Sequence, residues 1–365
     1  MATSPVSRSN ISPEDWDAVV GASPDGWCFG LYGWQDLILT VKRWGLQEHS
    51  FALRENGKLV AVVPLQFNPN NGSMASSGWG GAGPIVAGNL SGKTRRRIMD
   101  RALSHSIDIS RECGATAFEL SLLPVTETSL TADWGVNPLA LHGMDDVSGL
   151  SQVIDLAASE DDLWRGLSPD ARRQVRLARE AGYSVERADW AQSLEHYYAL
   201  HCETYDRTGV ASHPREYFSG IAHHMAPQGH AVLWRVRDSA GEIVGYHNDA
   251  CFRNAAYYHT GCSATGSGAS GAGYLLFWES IIGARNAGIR WYDCGTVFPH
   301  AEDGKQRGLT TFKTKFGGEM HRQFRATTRF VTPQSRKAES GRVGRVAGRV
   351  WKRLADTLLG WRNSQ

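Results

Sequence analysis

The sequence predicts a mixed α/β fold in which two similar units follow one another along the chain. Two observations predict it: the order hairpin, glycine-rich stretch, helix and short apolar strand occurs twice, and 365 residues exceed one ordinary core. The 41% apolar residues and 13 tryptophans are typical of a folded, aromatic-rich protein. The pattern restarts near 145–160, so we expect one unit at 1–150, a second at 151–334 and a basic tail at 335–365.

In the first unit, "HSFALRENGKLVAVVPLQFN" at 49–68 predicts a β-hairpin, because two apolar runs flank Asn56-Gly57. The glycine-rich "SSGWGGAGPIVAG" comes next, followed by a helix from about Ser91 to Cys113 and the strand "TAFELSL". Gly114 stands directly after that helix, where helices commonly end.

The second unit repeats this order, with a hairpin in "HAVLWRVRDSAGEIVGYHNDACF" at 230–252 and a further strand, "AAYYHTGCSA". The loop "TGSGASGAG", a helix from Tyr274 to Asn286 and the strand "IRWYDCG" complete the repeat. Near the end, "TTFKTKFGGEMHRQF" carries Phe312 and Phe316 on alternating positions, which predicts a strand. Strict alternation would place Lys313 and Lys315 on the same face of that strand.

Composition and cysteine spacing exclude several classes of protein. The net charge of +2 means that any basic surface is local. The six cysteines include no CxxC and no histidine at zinc spacing, so we expect reduced thiols and no metal site. We find neither a secretory signal pattern nor an apolar run of about 18 residues, so we expect a cytoplasmic protein.

Two segments suit anion binding. A glycine-rich loop before the helix at Tyr274 exposes backbone N–H groups at a positive helix end, which favours a phosphate or carboxylate. In "LSPDARRQVRLAREAGYSV", we expect a helix with Ser168 as its N-cap. The spacing of Arg172, Arg176 and Arg179 puts their side chains on one face of that helix. The alternatives are a surface loop that needs glycine for its turns, and a solvated arginine face.

Four segments, taken together and in order, resemble a known family: "LSPDARRQVRLAREAGYSVE", "HCETYDRTGV", "GYLLFWESIIGARNAGIRWYDCGT" and "TTFKTKFGGE". They are similar to the second half of the Fem-type peptidoglycan bridge aminoacyltransferases and to Fem-like members of the GNAT superfamily. The resemblance covers roughly 165–325, while the first half is similar only in outline. It implies two tandem GNAT-like units and transfer of an acyl or aminoacyl group to a primary amine.

The resemblance also implies site residues. Lys313 aligns with the lysine of the family's Phe-Lys motif, which is taken to stabilise negative charge near the substrates, with Lys315 as the second choice. Asp293 aligns with a family-typical aspartate at a strand end. In the CoA loop of GNAT members, Gln/Arg-x-x-Gly-x-Gly/Ala, the aligned glycines are Gly271 and Gly273, but Gly268 replaces the Gln/Arg.

A base and a hydroxyl remain to be assigned. Alternation along "GYHNDACF" places His247 and Asp249 on one strand face, as base candidates or as structural core residues. Of the neighbours Tyr257 and Tyr258, at most one faces a site, and we name Tyr258 as the substrate-binding candidate.

The donor co-substrate stays open between aminoacyl-tRNA and acyl-CoA, and the glycine at position 268 in place of Gln/Arg favours aminoacyl-tRNA. We expect no tightly bound cofactor. The acceptor implied by the family is a lipid-linked cell-envelope precursor or a small amine. The tail 335–365 carries eight lysines and arginines against two acids, which suits contact with tRNA or with the inner face of a membrane. The alternative for the tail is a helix packed on the domain. The alternative for the whole chain is a non-catalytic binding module on the same fold.

Overall fold

The computed structural model describes residues 3–76, 82–133, 135–266 and 270–330. Helices in these ranges are α1 (Pro13–Ala22), α2 (Tyr32–Thr40), α3 (Gly92–Glu112), α4 (Glu127–Thr131), α5 (Glu160–Gly166), α6 (Pro169–Glu180), α7 (Trp190–Thr208), α8 (Arg215–Gly220), α9 (Ala272–Asn286) and α10 (Gly304–Thr314). The basic tail predicted at 335–365 lies outside the described residues.

The strands are β1 (Ser4–Ser7), β2 (Gln47–Glu48), β3 (Phe51–Glu55), β4 (Lys58–Val63), β5 (Gln66–Asn68), β6 (Ser73–Ala75), β7 (Ile85–Val86), β8 (Ala117–Ser121), β9 (Asp145–Asp146), β10 (Gly149–Asp155), β11 (Ser184–Ala188), β12 (Ala231–Arg237), β13 (Ile243–Phe252), β14 (Ala255–Ser263), β15 (Trp291–Val297), β16 (Glu319–Gln323) and β17 (Arg325–Arg329). They form sheets in the orders β1-β3-β4-β7, β2-β5-β6-β8-β17-β9 and β11-β12-β13-β14-β15-β10-β16.

Each half contains a parallel strand pair joined through a helix. In the first half, α3 connects β6 to the parallel β8, and in the second, α9 connects β14 to the parallel β15. Parallel neighbours require such a crossover, whereas hairpins supply the antiparallel remainder of each sheet. This architecture confirms the α/β class with mixed sheets and a similar strand–helix–strand unit in each half. The late strand β17 pairs with β8, so the last described strand completes a sheet of the first half, and the division near residue 150 stays a prediction.

Local signals set most of the element boundaries. Asn56 and Gly57 have φ of 52° and 79°, as a two-residue turn between β3 and β4 requires. Ser91 caps α3 by accepting a hydrogen bond from the N–H of Thr94 at 3.4 Å. The predicted helices at 91–113 and 274–286 are therefore present with small shifts at their ends.

The strand predicted around Lys313 is wrong, because this segment is helix α10 followed by a Gly317-Gly318 turn and the short strand β16. Phe312 and Phe316 are four residues apart, and this spacing fits a helical face as well as strand alternation. Both aromatic rings pack on Phe277 of α9, with centroids 5.5 Å and 4.4 Å away, so tertiary packing decides for the helix.

The two halves share one hydrophobic core, in which α1 and α2 pack with α7, α8 and the central strands β12 to β14. Trp27 contacts Phe252 with a centroid distance of 6.2 Å, and Phe29 contacts Tyr257 at 6.3 Å. Aromatic rings contribute large buried areas, so these contacts couple the folding of both halves.

Close packing of α9 on the second sheet depends on Gly283. A Cβ at Gly283 would lie 2.2 Å from the Trp234 ring, whereas one at Gly308 in α10 would meet nothing within 4 Å. We expect Gly283→Ala to lower the free energy of unfolding by about 1–3 kcal/mol because overpacking exceeds the helix-propensity gain. The same change at Gly308 should raise it by up to about 1 kcal/mol. Urea unfolding of both variants measures the difference, and equal stabilisation would contradict the prediction.

Candidate functional site

Lys313 is a buried cation held against strand β15. Helix α10 is fixed to the end of β15 by Thr310, whose hydroxyl accepts a hydrogen bond from the N–H of Phe298 at 2.8 Å. One turn later the Nζ atom of Lys313 donates to the carbonyl of Thr296 at 2.9 Å, and the residue is only 8% exposed. Burying an ammonium group is costly unless it is hydrogen-bonded, so this position is maintained by specific contacts.

The surroundings of Lys313 include a buried carboxylate with one unsatisfied oxygen. Asp293, on β15, is 1% exposed, and its Oδ1 accepts hydrogen bonds from the Ser151 hydroxyl and from the N–H of Gly295. Its Oδ2 is buried and accepts no hydrogen bond within the described residues. Burial raises the pKa of Asp293 to about 6, against the lowering effects of these two bonds and of the Lys313 charge.

Gly295 gives the lysine room. Its φ is +91°, a backbone conformation that favours glycine, and a Cβ there would lie 2.8 Å from Nζ of Lys313 and 3.7 Å from the Tyr257 ring. Tyr257 is also the register partner of Asp293 in the parallel pair of β14 and β15. We call Lys313, Asp293, Gly295 and Tyr257 the Lys313 cluster.

The Lys313 cluster lies where two parallel strands separate. Pairing between β14 and β15 covers only Ala255 to Tyr257 opposite Trp291 to Asp293. Beyond this point β15 continues to Val297 and pairs with β10 alone in the described part of the chain. The separation exposes backbone and side-chain groups between two otherwise paired strands, which is a common way to form a ligand site.

The glycine turn before α9 lies against α6. Gly271 has φ of +75°, and a Cβ there would be 2.5 Å from the carbonyl oxygen of Gln174 in α6. Tyr274, in the first turn of α9, packs its ring on Phe312 at 5.1 Å, directly beside Lys313 in the chain. Gly273 belongs to the same first turn, and Gly268 lies outside the described residues.

Lys315 does not share a face with Lys313, which corrects the sequence prediction. As the residue that ends α10, Lys315 points to the start of α9, where its Nζ donates to Asp170 at 2.7 Å and to the Tyr274 hydroxyl at 3.0 Å. The bond to Asp170, and then the bond to Tyr274, raise the pKa of Lys315. A role beside the glycine turn stays a prediction.

His247 and Asp249 face the other side of the sheet. His247 Nε2 lies 2.8 Å from Asp249 Oδ1 and 2.8 Å from the hydroxyl of Tyr292, which neighbours Asp293 and points the opposite way. Ser280 of α9 is 3.2 Å from the same Nε2. The structure therefore brings these two residues together, as predicted, but beneath α9 and apart from the Lys313 cluster.

A β-bulge distinguishes the two tyrosines. The pairing of β13 and β14 shifts between Asn248 and Asp249, and the register of the two strands skips His259. Tyr258 stacks on His247 with a centroid distance of 4.5 Å, on the α9 face, whereas Tyr257 lies by Lys313. Sequence reasoning named Tyr258 as the substrate-binding candidate, but the structure places Tyr257, not Tyr258, in the Lys313 cluster.

The arginines of α6 contact α5. Arg172 donates to the carbonyls of Arg165 at 2.8 Å and of Leu167 at 2.9 Å, which satisfies the end of that helix. The guanidinium of Arg176 lies 5.6 Å from the Trp164 ring centroid. Phosphate binding stays a prediction for both arginines, although Nη1 of Arg172 already donates to these protein carbonyls.

Sequence reasoning missed Ser151, Thr296 and His259. Ser151 reaches Asp293 across 142 positions of sequence, and no local pattern indicates that contact. His259 accepts or donates a hydrogen bond at 2.8 Å with the Tyr217 hydroxyl, and burial lowers its pKa to about 3. The sequence feature that could have identified His259 as a candidate is its position next to two tyrosines in "AAYYHTGCSA".

Within the described ranges, no group of three or more metal-binding side chains comes together, and none of the helices is both long and apolar enough to cross a membrane.

Residues 168–313 match the family described as an acetyltransferase (GNAT) domain. The structure titled FemX aligns with a TM-score of 0.69 and 17% identity, over 93% of this chain and 100% of that one. A tandem GNAT protein from the clavulanic acid biosynthesis pathway aligns with a TM-score of 0.55 and 15% identity, over 90% of this chain and 98% of its own.

The C-terminal domain of a putative lysylphosphatidylglycerol synthetase from Agrobacterium fabrum also aligns, with a TM-score of 0.55, 16% identity, and coverage of 87% of this chain and 91% of that one. No curated protein matches the sequence. At these identities the structures establish the fold alone. The resemblance seen in the sequence is thus confirmed at the level of the fold: the chain has a Fem-like, tandem GNAT fold, and residues 168–313 match the GNAT acetyltransferase domain family.

Proposed function

We propose that this protein is an N-acyltransferase that moves an acyl or aminoacyl group from an activated carrier to a primary amine, with the Lys313 cluster as its reaction centre. The observation that carries the proposal is the buried ammonium of Lys313 at the separation of β14 and β15. A fixed positive charge in a site that excludes water stabilises an oxyanion far more than the same charge in solvent.

In the proposed reaction, the nitrogen of a neutral amine attacks the carbonyl carbon of an ester or thioester. The carbonyl oxygen becomes an oxyanion in the tetrahedral intermediate, which the Lys313 ammonium stabilises. The carbon–oxygen or carbon–sulfur bond then breaks, the amide forms, and the proton lost by the nitrogen is gained by the leaving oxygen or sulfur. Asp293 acts through Lys313 as a positioning residue, because its carboxylate is buried next to the cation.

Aminoacyl-tRNA is the preferred donor, supported by the Fem-like fold over 93% of the chain and by Gly268 where a CoA loop has Gln or Arg. The GNAT match and the left-handed Gly271 turn at the start of α9 favour acyl-CoA as the alternative. The proposed acceptor is an amine of a cell-envelope precursor or a small molecule. Contact of segment 335–365 with tRNA or with the inner membrane face belongs to the same proposal.

Donor choice can be tested with the full chain, a panel of amines, and either charged tRNA or acetyl-CoA, followed by mass spectrometry of the amines. We expect transfer from aminoacyl-tRNA, and at least about 100-fold slower transfer by the Lys313→Met variant, which controls for contaminating enzymes. Transfer from acetyl-CoA alone would favour the alternative, and CoA should then also raise the unfolding temperature. A protein that binds tRNA or CoA but transfers nothing to any amine would indicate a binding module.

A further inference from the structure

A cavity lies on the α9 face of the seven-stranded sheet. Its volume is about 310 Å³, and its walls come from Val232 and Trp234 of β12, Cys251 of β13, and Ala284 and Ile289 at the C-terminal end of α9. The Lys313 cluster lies on the opposite face of this sheet, and the Gly271 turn lies at the opposite end of α9. This cavity is therefore separate from the proposed reaction centre.

Asp249 supplies a carboxylate to this cavity. The residue is 1% exposed and lines the cavity wall, and its Oδ1 accepts hydrogen bonds from His247 Nε2 at 2.8 Å and from the Tyr292 hydroxyl at 2.6 Å. Its Oδ2 accepts no hydrogen bond within residues 3–76, 82–133, 135–266 and 270–330. A carboxylate buried in this way is costly unless a positive group approaches its second oxygen.

The buried polar side chains of Asp249, His247, Tyr292 and Ser280 do not form a nucleophilic triad. Ser280 and Asp249 both lie against the same nitrogen, Nε2 of His247, whereas a triad requires the serine and the acid on different nitrogens. The Ser280 hydroxyl also lies 2.8 Å from the carbonyl of Phe277, to which it donates. The group therefore fixes the orientation of Asp249 and does not activate the serine.

Arg187 and Arg253 both line the cavity, but the Arg253 guanidinium donates to the carbonyl of Gly21, so Arg187 provides the positive charge for a ligand. Arg187 lies across from Trp234 in the pairing of β11 and β12, with its guanidinium 5.8 Å from the centroid of the Trp234 ring. The side chain lines the same cavity and, in the described part of the chain, has no carboxylate within ion-pair distance. The neighbouring Arg235 and Arg237 instead both pair with Glu186.

We propose that this cavity binds a free α-amino acid, with its ammonium at Oδ2 of Asp249 and its carboxylate at the Arg187 guanidinium. The volume suits a ligand of this size, since it corresponds to about ten water-sized groups. The apolar walls accommodate a side chain, and the C-terminal end of α9 favours the ammonium. A dicarboxylate would place a negative charge against Asp249, and a diamine would place a positive charge against Arg187. A zwitterion avoids both repulsions and therefore fits best.

This inference does not rest on the proposed function and is tested by binding. The full chain is titrated calorimetrically with each of the twenty proteinogenic L-amino acids at millimolar concentration. The best binder is then compared with the amine that lacks its carboxylate and the acid that lacks its ammonium. We expect saturable binding of the zwitterion and at least about tenfold weaker binding of both analogues, because each loses a charged hydrogen bond.

Two variants place the binding in the cavity. Arg187→Gln, at an exposed position that should not disturb folding, is expected to weaken binding about tenfold or more, and Asp249→Asn should do the same. Lys313→Met should leave the affinity within about twofold, because Lys313 lies on the other face of the sheet. The proposal is overturned if no amino acid binds, if the lone amine or acid binds as well, or if Lys313→Met abolishes binding while Arg187→Gln does not.

Discussion

Replacement of Lys313 by methionine is expected to lower kcat for amide formation by about 10²–10³-fold, the loss typical when one oxyanion-stabilising group is removed. Methionine is unbranched and only one atom shorter than lysine, and it suits a site that is 8% exposed, so the fold should persist. Single-turnover rates with saturating donor and amine separate this loss from weaker substrate binding.

Lys305→Met is the matched control, because Lys305 lies in the same helix α10 but is exposed to solvent. It removes the same charge from the molecule, so it should leave kcat within about twofold if the effect of Lys313 is local. Both variants should unfold at similar urea concentrations. Equal kcat values for the wild type and Lys313→Met would show that this ammonium takes no part in the reaction.

The features that the sequence predicted correctly are those encoded by neighbouring residues. The turn at Asn56-Gly57 and the cap at Ser91 each depend on a few consecutive side chains, and both occur where predicted. The twofold recurrence of hairpin, helix and strand was visible because it depends on order alone. The late return of β17 to the sheet of the first half was not visible, since a strand of five residues does not indicate its partner.

The candidate site shows the same limit more sharply. Lys313 and Asp293 were named from a resemblance, but their environment depends on Ser151, 142 positions before Asp293, and on the left-handed backbone of Gly295. Alternation correctly put His247 and Asp249 on one face of β13. It could not tell which face α9 covers, because that depends on the packing of distant segments.

Asp293→Asn is expected to stabilise the protein above neutral pH and to impair it as an enzyme. Burial raises the pKa of Asp293 from 3.8 to about 6, so the folded state favours the protonated carboxyl. The stability that this preference contributes is complete below pH 3.8 and is lost as the pH rises through about 6. Above pH 6 the buried carboxylate costs up to about 3 kcal/mol relative to a neutral group, and asparagine removes this cost.

The catalytic effect has the opposite sign. If the ionised Asp293 orients the Lys313 ammonium, kcat of the wild type should fall as the pH drops through about 6, the pKa of that carboxyl. The asparagine variant should show a lower kcat, by about tenfold or more, together with loss of this acid limb. Urea unfolding at pH 8 and pH 4 supplies the other half of the test: the variant should gain stability at pH 8 and little at pH 4. A variant that is less stable at pH 8, or that keeps the acid limb, would show that the buried carboxylate is a structural acceptor for Ser151 and Gly295 and nothing more.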